Sequence, residues 1–398
     1  MKRHCRFTTF VEHRIGFTLV EVLIVLAIMS ALAAVALPAT KELLADQKVD
    51  RAASALTAFI DSARNRAIAE NRPVGVEFER FDETDEFGRS VSFRAKMLTS
   101  VPPYRGDSEA ARVVLVAQTG GNVDQARIRC DFAPTENQLL LLSAHLRSTL
   151  NDDEFEKRSP IRERDEIELP GGRRVPIIGI VPRDKNSLAT IPVSIFVDLR
   201  QADASGSTRY PSASNVIPFD RVVPFKIHRR PVASSSLVYT MPRGIVVDFN
   251  YSGIGVFGNN FAPETDLSVP APDVSIVFGG DGKVINSYLG VRQVGNQYQL
   301  VESPPSGQIF ICVGRSEGVH PENLFETDDD APANLLSEDS VWLVINANTG
   351  RCFASPFASV PQGNIPNGTV TDPFDLTVAP VVSRTRDFAK LSDTIDLQ

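Results

Sequence analysis

The chain has 398 residues, 41 Lys and Arg against 49 Asp and Glu, and 42% hydrophobic residues, which excludes a polytopic membrane protein and a wholly disordered or collagen-like chain. At about 100 to 200 residues per domain, two or three folded units can be accommodated. A net charge of −8 argues against a nucleic-acid binder that neutralises phosphates, since that chemistry needs clustered surplus Lys and Arg.

The charge is unevenly spread. Met1–Gly16 holds Lys2, Arg3, Arg6 and Arg14 against Glu12 alone, a net of +3, so the remainder carries −11. Phe17–Leu37 follows as FTLVEVLIVLAIMSALAAVAL, 21 residues in which only Thr18, Glu21 and Ser30 are not apolar. As a helix it would be about 31 Å long, enough to cross the bilayer hydrocarbon, and no other segment of the sequence approaches it. Basic residues on its N-terminal side predict a cytoplasmic N-terminus with the rest of the chain outside. The simpler alternative is an ordinary secretory signal peptide cut at Ala34-Val35-Ala36. Against it, the apolar core is long for a signal peptide, and Glu21 is costly in hydrocarbon unless it has a partner. A cut between Gly16 and Phe17 would create an α-ammonium one helical turn before Glu21, within reach of the carboxylate of its own or a neighbouring chain. The cost of burying one charge would then be offset by the other.

At these residues the chain resembles the type IV prepilin-like family: Arg14-Ile15-Gly16 followed by Phe17-Thr18-Leu19-Val20-Glu21 is similar to that family's G-F-T-L-x-E cleavage and methylation signal. The resemblance implies cleavage after Gly16 by prepilin peptidase, N-methylation of Phe17, and a role for Glu21 in subunit registration and methylation. It further implies a single-pass protein of the bacterial inner membrane, cytoplasmic at its N-terminus and periplasmic in its C-terminal domain, that assembles with other pilins or pseudopilins into a filament. Pro38 falls where many members of that family carry a helix-kinking proline; by physics alone it reads equally well as a helix boundary at the membrane surface.

Beyond Pro38 the helical spacing continues, with Val49, Ala52, Ala53, Leu56, Phe59, Ile60, Ala63, Ala67 and Ile68 recurring at three- and four-residue steps until Asn71-Arg72-Pro73 stops it. Such a stripe predicts a helix laid against a sheet. Val74–Glu79 alternates at period two and reads as the first strand. The run SARNRAIAENRPVGVEFE resembles the H-type minor pseudopilins of type II secretion systems, the GspH/FimT group.

From Arg80 to about Tyr239 the pattern is harder to read. Strands are predicted at Val91–Met97, Arg112–Ala117, Val175–Val181, Val193–Leu199 and Val222–His228. Gln138–Leu150 is either a short helix or a buried strand, and NDDEFEKRSPIRERDEIE reads as a solvated stretch of mixed charge. Four clearer strand runs follow: Gly244–Phe249, Val274–Phe278, Gln308–Val313 and Val341–Asn346, with turn signals at Gly279–Gly282 and Asn348-Thr349-Gly350. The phrases MPRGIVVDF, IVFGGDGKVINS and VWLVINANTGRCF resemble the sheet segments of the same H-type pseudopilins. The expected fold class is therefore α+β: a pilin-like fold with a long N-terminal helix on an antiparallel sheet and a large β-rich insertion. Its expected divisions are a leader (1–16), an assembly helix (17–37), its periplasmic continuation (38–71), the first strand with the insertion (72–240) and a C-terminal sheet region (241–398).

No catalytic constellation is evident, so neither an enzyme nor a cofactor nor a metal is expected. His145, His228 and His320 are isolated in sequence, without metal-ligand spacing. Gly253–Gly258 satisfies G-x-G-x-x-G, yet Asn259-Asn260-Phe261-Ala262-Pro263 follows as a loop where a dinucleotide site needs a helix, so a turn in a sheet is expected. Glu326, Asp328, Asp329 and Asp330 lack the ligand spacing of an EF-hand and read as a solvated acidic loop. Cys5 leaves with the leader. In an oxidising compartment Cys312 and Cys352 could pair, closing a loop of about 40 residues for roughly 4 kcal/mol, with Cys130 left as a buried thiol. Two functional classes follow. One is a minor pseudopilin or pilin whose business is assembly; the other is a membrane-tethered binding or adhesive β-domain that carries a pilin-like anchor. Neither implies nucleic acid.

Overall fold

A computed structural model describes residues 19–117, 127–151, 154–155, 158–163, 165–170, 173–184, 191–198, 222–294, 297–328, 331–366 and 368–390, without the side chains of 35–46, 117, 127, 173, 198, 235–236 and 292–299. Helix α1 (Leu19–Glu70) continues through Pro38, so no helix boundary falls there. Its second half buries Val49, Ala52, Ala53, Leu56, Ile60, Ala63 and Ala67 to 0–1% exposure. The small residues in this stripe let the sheet approach the helix backbone closely. Ile68, expected in the same stripe, is 42% exposed, and Phe59 packs at the margin of the core, 6.0 Å from the Tyr239 ring. The helix ends at Asn71, in the left-handed region at φ +47°, and the Arg72 N–H donates back to the Ala67 carbonyl at 3.2 Å.

Strand β1 (Val74–Arg80), helix α2 (Glu86–Ser90) and β2 (Val91–Thr99) follow. The chain then builds β3 (Val113–Ala117), β4 (Arg127–Phe132), α3 (Gln138–Thr149), β5 (Glu166–Leu169), β6 (Arg173–Ile180), β7 (Val193–Asp198), β8 (Val222–Val223) and β9 (Lys226–His228). It continues through β10 (Val232–Thr240), β11 (Ile245–Ile254), β12 (Val274–Phe278), β13 (Val284–Val294), β14 (Gln297–Ser303), β15 (Ile309–Arg315), β16 (Val341–Ile345), β17 (Cys352–Pro356) and α4 (Val378–Thr385).

Among the described residues these strands form two antiparallel sheets. The first has ten strands in the order β14-β13-β12-β1-β2-β11-β15-β16-β17, with β10 also paired to β2; the second has seven, β8-β3-β4-β7-β6-β5-β9. The junction between them is a hairpin: Val232 of β10 lies opposite Thr99 of β2, and the second sheet occupies the chain between those residues. This moves the boundary expected from sequence, because β2 and β10, both inside the expected insertion, belong to the first sheet.

Three large cores account for most of the burial among the described residues, with a small fourth cluster of Val91, Val246 and Val319. α1 covers the inner face of the first sheet through Val76, Phe78, Val247, Ile311 and Leu343. The outer face, with Phe310, Cys312, Trp342 and Val344, is covered by the C-terminal segment, including Val378, Val381 and Val382 of α4. β11, β15 and β16 are therefore buried on both faces, which is why β15 and β16 read as continuous apolar runs instead of alternating ones, while β11 also buries Asp248, Asn250 and Ser252. The second sheet has its own core, in which Leu140 and Ala144 of α3 pack on Ile128, Ile177, Ile195 and Val197.

Candidate functional site

The first half of α1 is the part of the chain whose physics the fold does not satisfy. Leu19–Ala34 is exposed at every position, and Val22, Leu23, Ile24, Val25 and Leu26 are successive residues, so at about 100° per residue they surround the helix. A helix apolar all round is stable only in hydrocarbon or among other apolar helices. Glu21 lies near the N-terminal edge of the described part of this helix. The Ser30 hydroxyl donates to the Ala27 carbonyl at 2.9 Å, so this polar group is satisfied within the helix. Among the described residues no helix is long and apolar enough to cross a membrane. Of the span expected from sequence, side chains are described from Leu19 to Ala34. Gly16 and Phe17, the expected processing pair, lie outside the described residues, as does the Pro38 side chain.

The second half of α1 is joined to the sheet by polar contacts as well as by its stripe. Arg64 Nε donates to the Thr349 carbonyl at 2.8 Å and to that of Gly282 at 3.3 Å, and the Tyr239 hydroxyl donates to the Ala52 carbonyl at 3.3 Å. The exposed apolar half is thus an extension of a helix fixed into the globular core.

The remaining sequence candidates fall elsewhere. Cys312 and Cys352 do not form the anticipated disulfide; both are free and buried. They stand on β15 and β17 with β16 between, separated by two strand spacings of about 4.8 Å each, and are offset along the strands because Cys312 lies opposite Trp342 and Cys352 opposite Ile345, so they are beyond the reach of a disulfide. They also point to opposite faces, Cys312 into the outer core and Cys352 toward α1. Cys130 is likewise free and buried, in the second core. His145 lies on α3, His228 on β9 against Glu168 at 2.6 Å, and His320 in a loop against the Ala331 carbonyl at 2.9 Å. Among the described residues no group of His, Cys, Asp and Glu is arranged to hold a metal. Glu326 accepts hydrogen bonds from Asn323 and the Thr327 N–H, while Asp329 and Asp330 lie outside the described residues. The glycine run ends β11 in a turn with Gly255 at φ +81°, and a Cβ on Gly258 would meet the Ile254 carbonyl oxygen.

Two charged sites escaped the sequence reading. Buried Arg386 donates to the carbonyls of Tyr251, Gly255, Val256 and Gly258 at 2.6 to 3.2 Å. Arg158, Arg162, Arg229 and Arg230 gather at one cleft. The surplus of arginine in KRSPIRER and the Arg229-Arg230 pair were the available signals.

Residues 13–37 match the prokaryotic N-terminal methylation motif. No curated protein and no solved structure matches the chain. The motif supports a type IV prepilin-like protein of the pilin or pseudopilin kind, anchored in a membrane and processed by prepilin peptidase.

Proposed function

We propose that this protein is a minor pseudopilin or pilin subunit, closest to the H-type (GspH/FimT) pseudopilins of type II secretion systems. Prepilin peptidase removes the leader between Gly16 and Phe17, Phe17 is N-methylated, and Glu21 sets the register of the helix against its neighbours. The helix holds the chain in the bacterial inner membrane as a single pass, N-terminus in the cytoplasm and globular part in the periplasm, until it enters a secretion pseudopilus or type IV pilus-like filament. Its work is assembly, without a catalytic site. One observation carries this reading: the methylation motif coincides with the helix half that is apolar and exposed all round, and that helix continues unbroken into the core of the first sheet. A filament needs such a part, an adhesive helix rigidly attached to its cargo domain.

Cysteine crosslinking in cells tests it. With Leu26→Cys in the chain and a matching cysteine in neighbouring pseudopilins, crosslinked pairs are expected, and Glu21→Gln should diminish them while leaving cleavage intact. A chain captured solely as a monomer would contradict assembly. A second reading, a tethered binding or adhesive domain, is favoured by the second sheet, which has a core of its own.

A further inference from the structure

A cleft of about 230 Å³ lies between the loop that precedes β5 and the segment joining β9 to β10, with Arg158, Arg162, Arg229 and Arg230 in its lining. The one carboxylate in that lining, Asp165, is 1% exposed and already engaged. Its Oδ2 accepts the main-chain N–H of Arg162 at 2.8 Å and its Oδ1 that of Arg230 at 2.9 Å. The Arg230 guanidinium is paired with Asp165 Oδ1 at 3.9 Å and shared with Glu302 at 3.9 Å and the Glu163 carbonyl at 3.3 Å. Arg162 and Arg229 donate to neutral acceptors. Arg162 Nε donates to the Ser159 carbonyl at 3.1 Å and Arg229 Nη2 to that of Pro102 at 3.0 Å. The Nε of Arg229 is buried and makes no hydrogen bond among the described residues.

Carbonyl oxygens hold a guanidinium in place without cancelling its charge. The cleft therefore concentrates positive charge in a chain whose net charge is −8, beside apolar walls of Val101, Pro160 and Val232 that reduce screening. Planar guanidinium forks present paired donors that match tetrahedral oxyanions and carboxylates in a way that ammonium groups do not. At about 230 Å³ the space is smaller than the roughly 300 to 1,000 Å³ of drug-sized sites, so it suits a compact ligand.

We propose that this cleft binds a compact, multiply charged oxyanion of the phosphate or sulfate class, with Arg158, Arg162 and Arg229 as ligands and Asp165 as the positioning residue that fixes the backbones of Arg162 and Arg230. Because Arg229 and Arg230 precede the strand that rejoins the first sheet, an occupied cleft ties the second unit to that strand.

The test is isothermal titration of the full chain in non-ionic detergent with sodium phosphate, pyrophosphate and sulfate at constant ionic strength, with chloride as the reference. Saturable binding is expected, weakened about tenfold or more by Arg229→Ala and by Arg158→Ala, as for the loss of one charge-assisted hydrogen bond, and unchanged by Arg112→Ala elsewhere on the surface. Glucose 6-phosphate binding at least as tightly as phosphate supports a phosphate group carried on a larger molecule; markedly weaker binding supports the free ion. Should Arg229→Ala fail to fold by circular dichroism, Arg158, which is exposed, still decides the matter. Absence of heat beyond the chloride reference, or binding indifferent to Arg158→Ala, overturns the proposal.

Discussion

The guanidinium of Arg386 stacks 4.5 Å from the ring of Trp342, and the Trp342 indole N–H donates to the carbonyl of the neighbouring Thr385 at 3.2 Å. It also lies 4.3 Å from the Phe310 ring, which meets Trp342 edge-on, while its nitrogens bind four carbonyls at the end of β11. Burial pushes this guanidinium down to about 9. It is retained as a cation by the carbonyls and aromatic faces around it. One side chain thus fastens the C-terminal segment to the outer face of the first sheet.

Replacing Arg386 by Met keeps the length but orphans those carbonyls, and is expected to cost roughly 3 to 5 kcal/mol of unfolding free energy. Arg386→Lys should recover only part of that, because a single ammonium cannot reach all four acceptors. Urea denaturation followed at Trp342 measures both.

Asp248 on β11 gives the fold a pH dependence. Burial pushes its carboxyl up to about 7, although Asn334 and the Asn250 N–H both donate to it. A raised carboxyl keeps its proton in the fold while the unfolded chain releases it from about pH 4, so stability falls as pH rises from about 4 to 7 and then levels. The loss through this group is of order 2 to 4 kcal/mol. Glu77, pushed up to about 7 chiefly by burial, acts in the same direction. Asp248→Asn should be less stable at pH 4, where it lacks one hydrogen bond, and should show a flatter stability profile toward pH 8. A profile as steep as that of the unmodified protein would be inconsistent with Asp248 as its source.

Free, buried Cys130, Cys312 and Cys352 lead to a third expectation. Burial pushes all three thiols up, which suppresses the reactive thiolate. Reducing agent should leave the melting temperature of the globular part unchanged, and alkylation should wait for unfolding. A lower melting temperature in reductant would require a disulfide that this geometry does not permit.

The hairpin junction supplies a fourth. Since Thr99 and Val232 are opposite one another, replacing residues 100–231 by a short Gly-containing turn should leave the first sheet and α1 folded. Circular dichroism and proteolysis of the shortened chain would show it, and incorporation of that chain into filaments would separate assembly from whatever the second sheet binds.

Much of this architecture was legible from hydrophobic period alone. The α1 stripe declared itself at Val49 through Ala67, and β12 was bounded at Val274 and Phe278 as observed. Where the pattern misled, neighbours had overridden it. β5 begins inside the end of a stretch read as solvated charge, because its Glu166 and Glu168 alternate with buried Ile167 and Leu169 over only four residues. The run expected as one strand at Val222–His228 is two, β8 and β9, in different parts of the second sheet, since Pro224 has no N–H to continue a ladder. β14, written QYQLVES, carries too little apolar signal to be seen without its partner β13. Of the candidate sites, the processing motif could be read because it is contiguous, whereas the Arg386 clamp and the arginine cleft join residues far apart in sequence.

Mass spectrometry of the mature N-terminus bears most directly on the prepilin-type reading. The expected product begins at Phe17 and carries a methyl group on its α-nitrogen. A mature chain beginning near Leu37 would mean that an ordinary signal peptidase had removed the apolar helix, and a chain without that helix could not assemble as proposed.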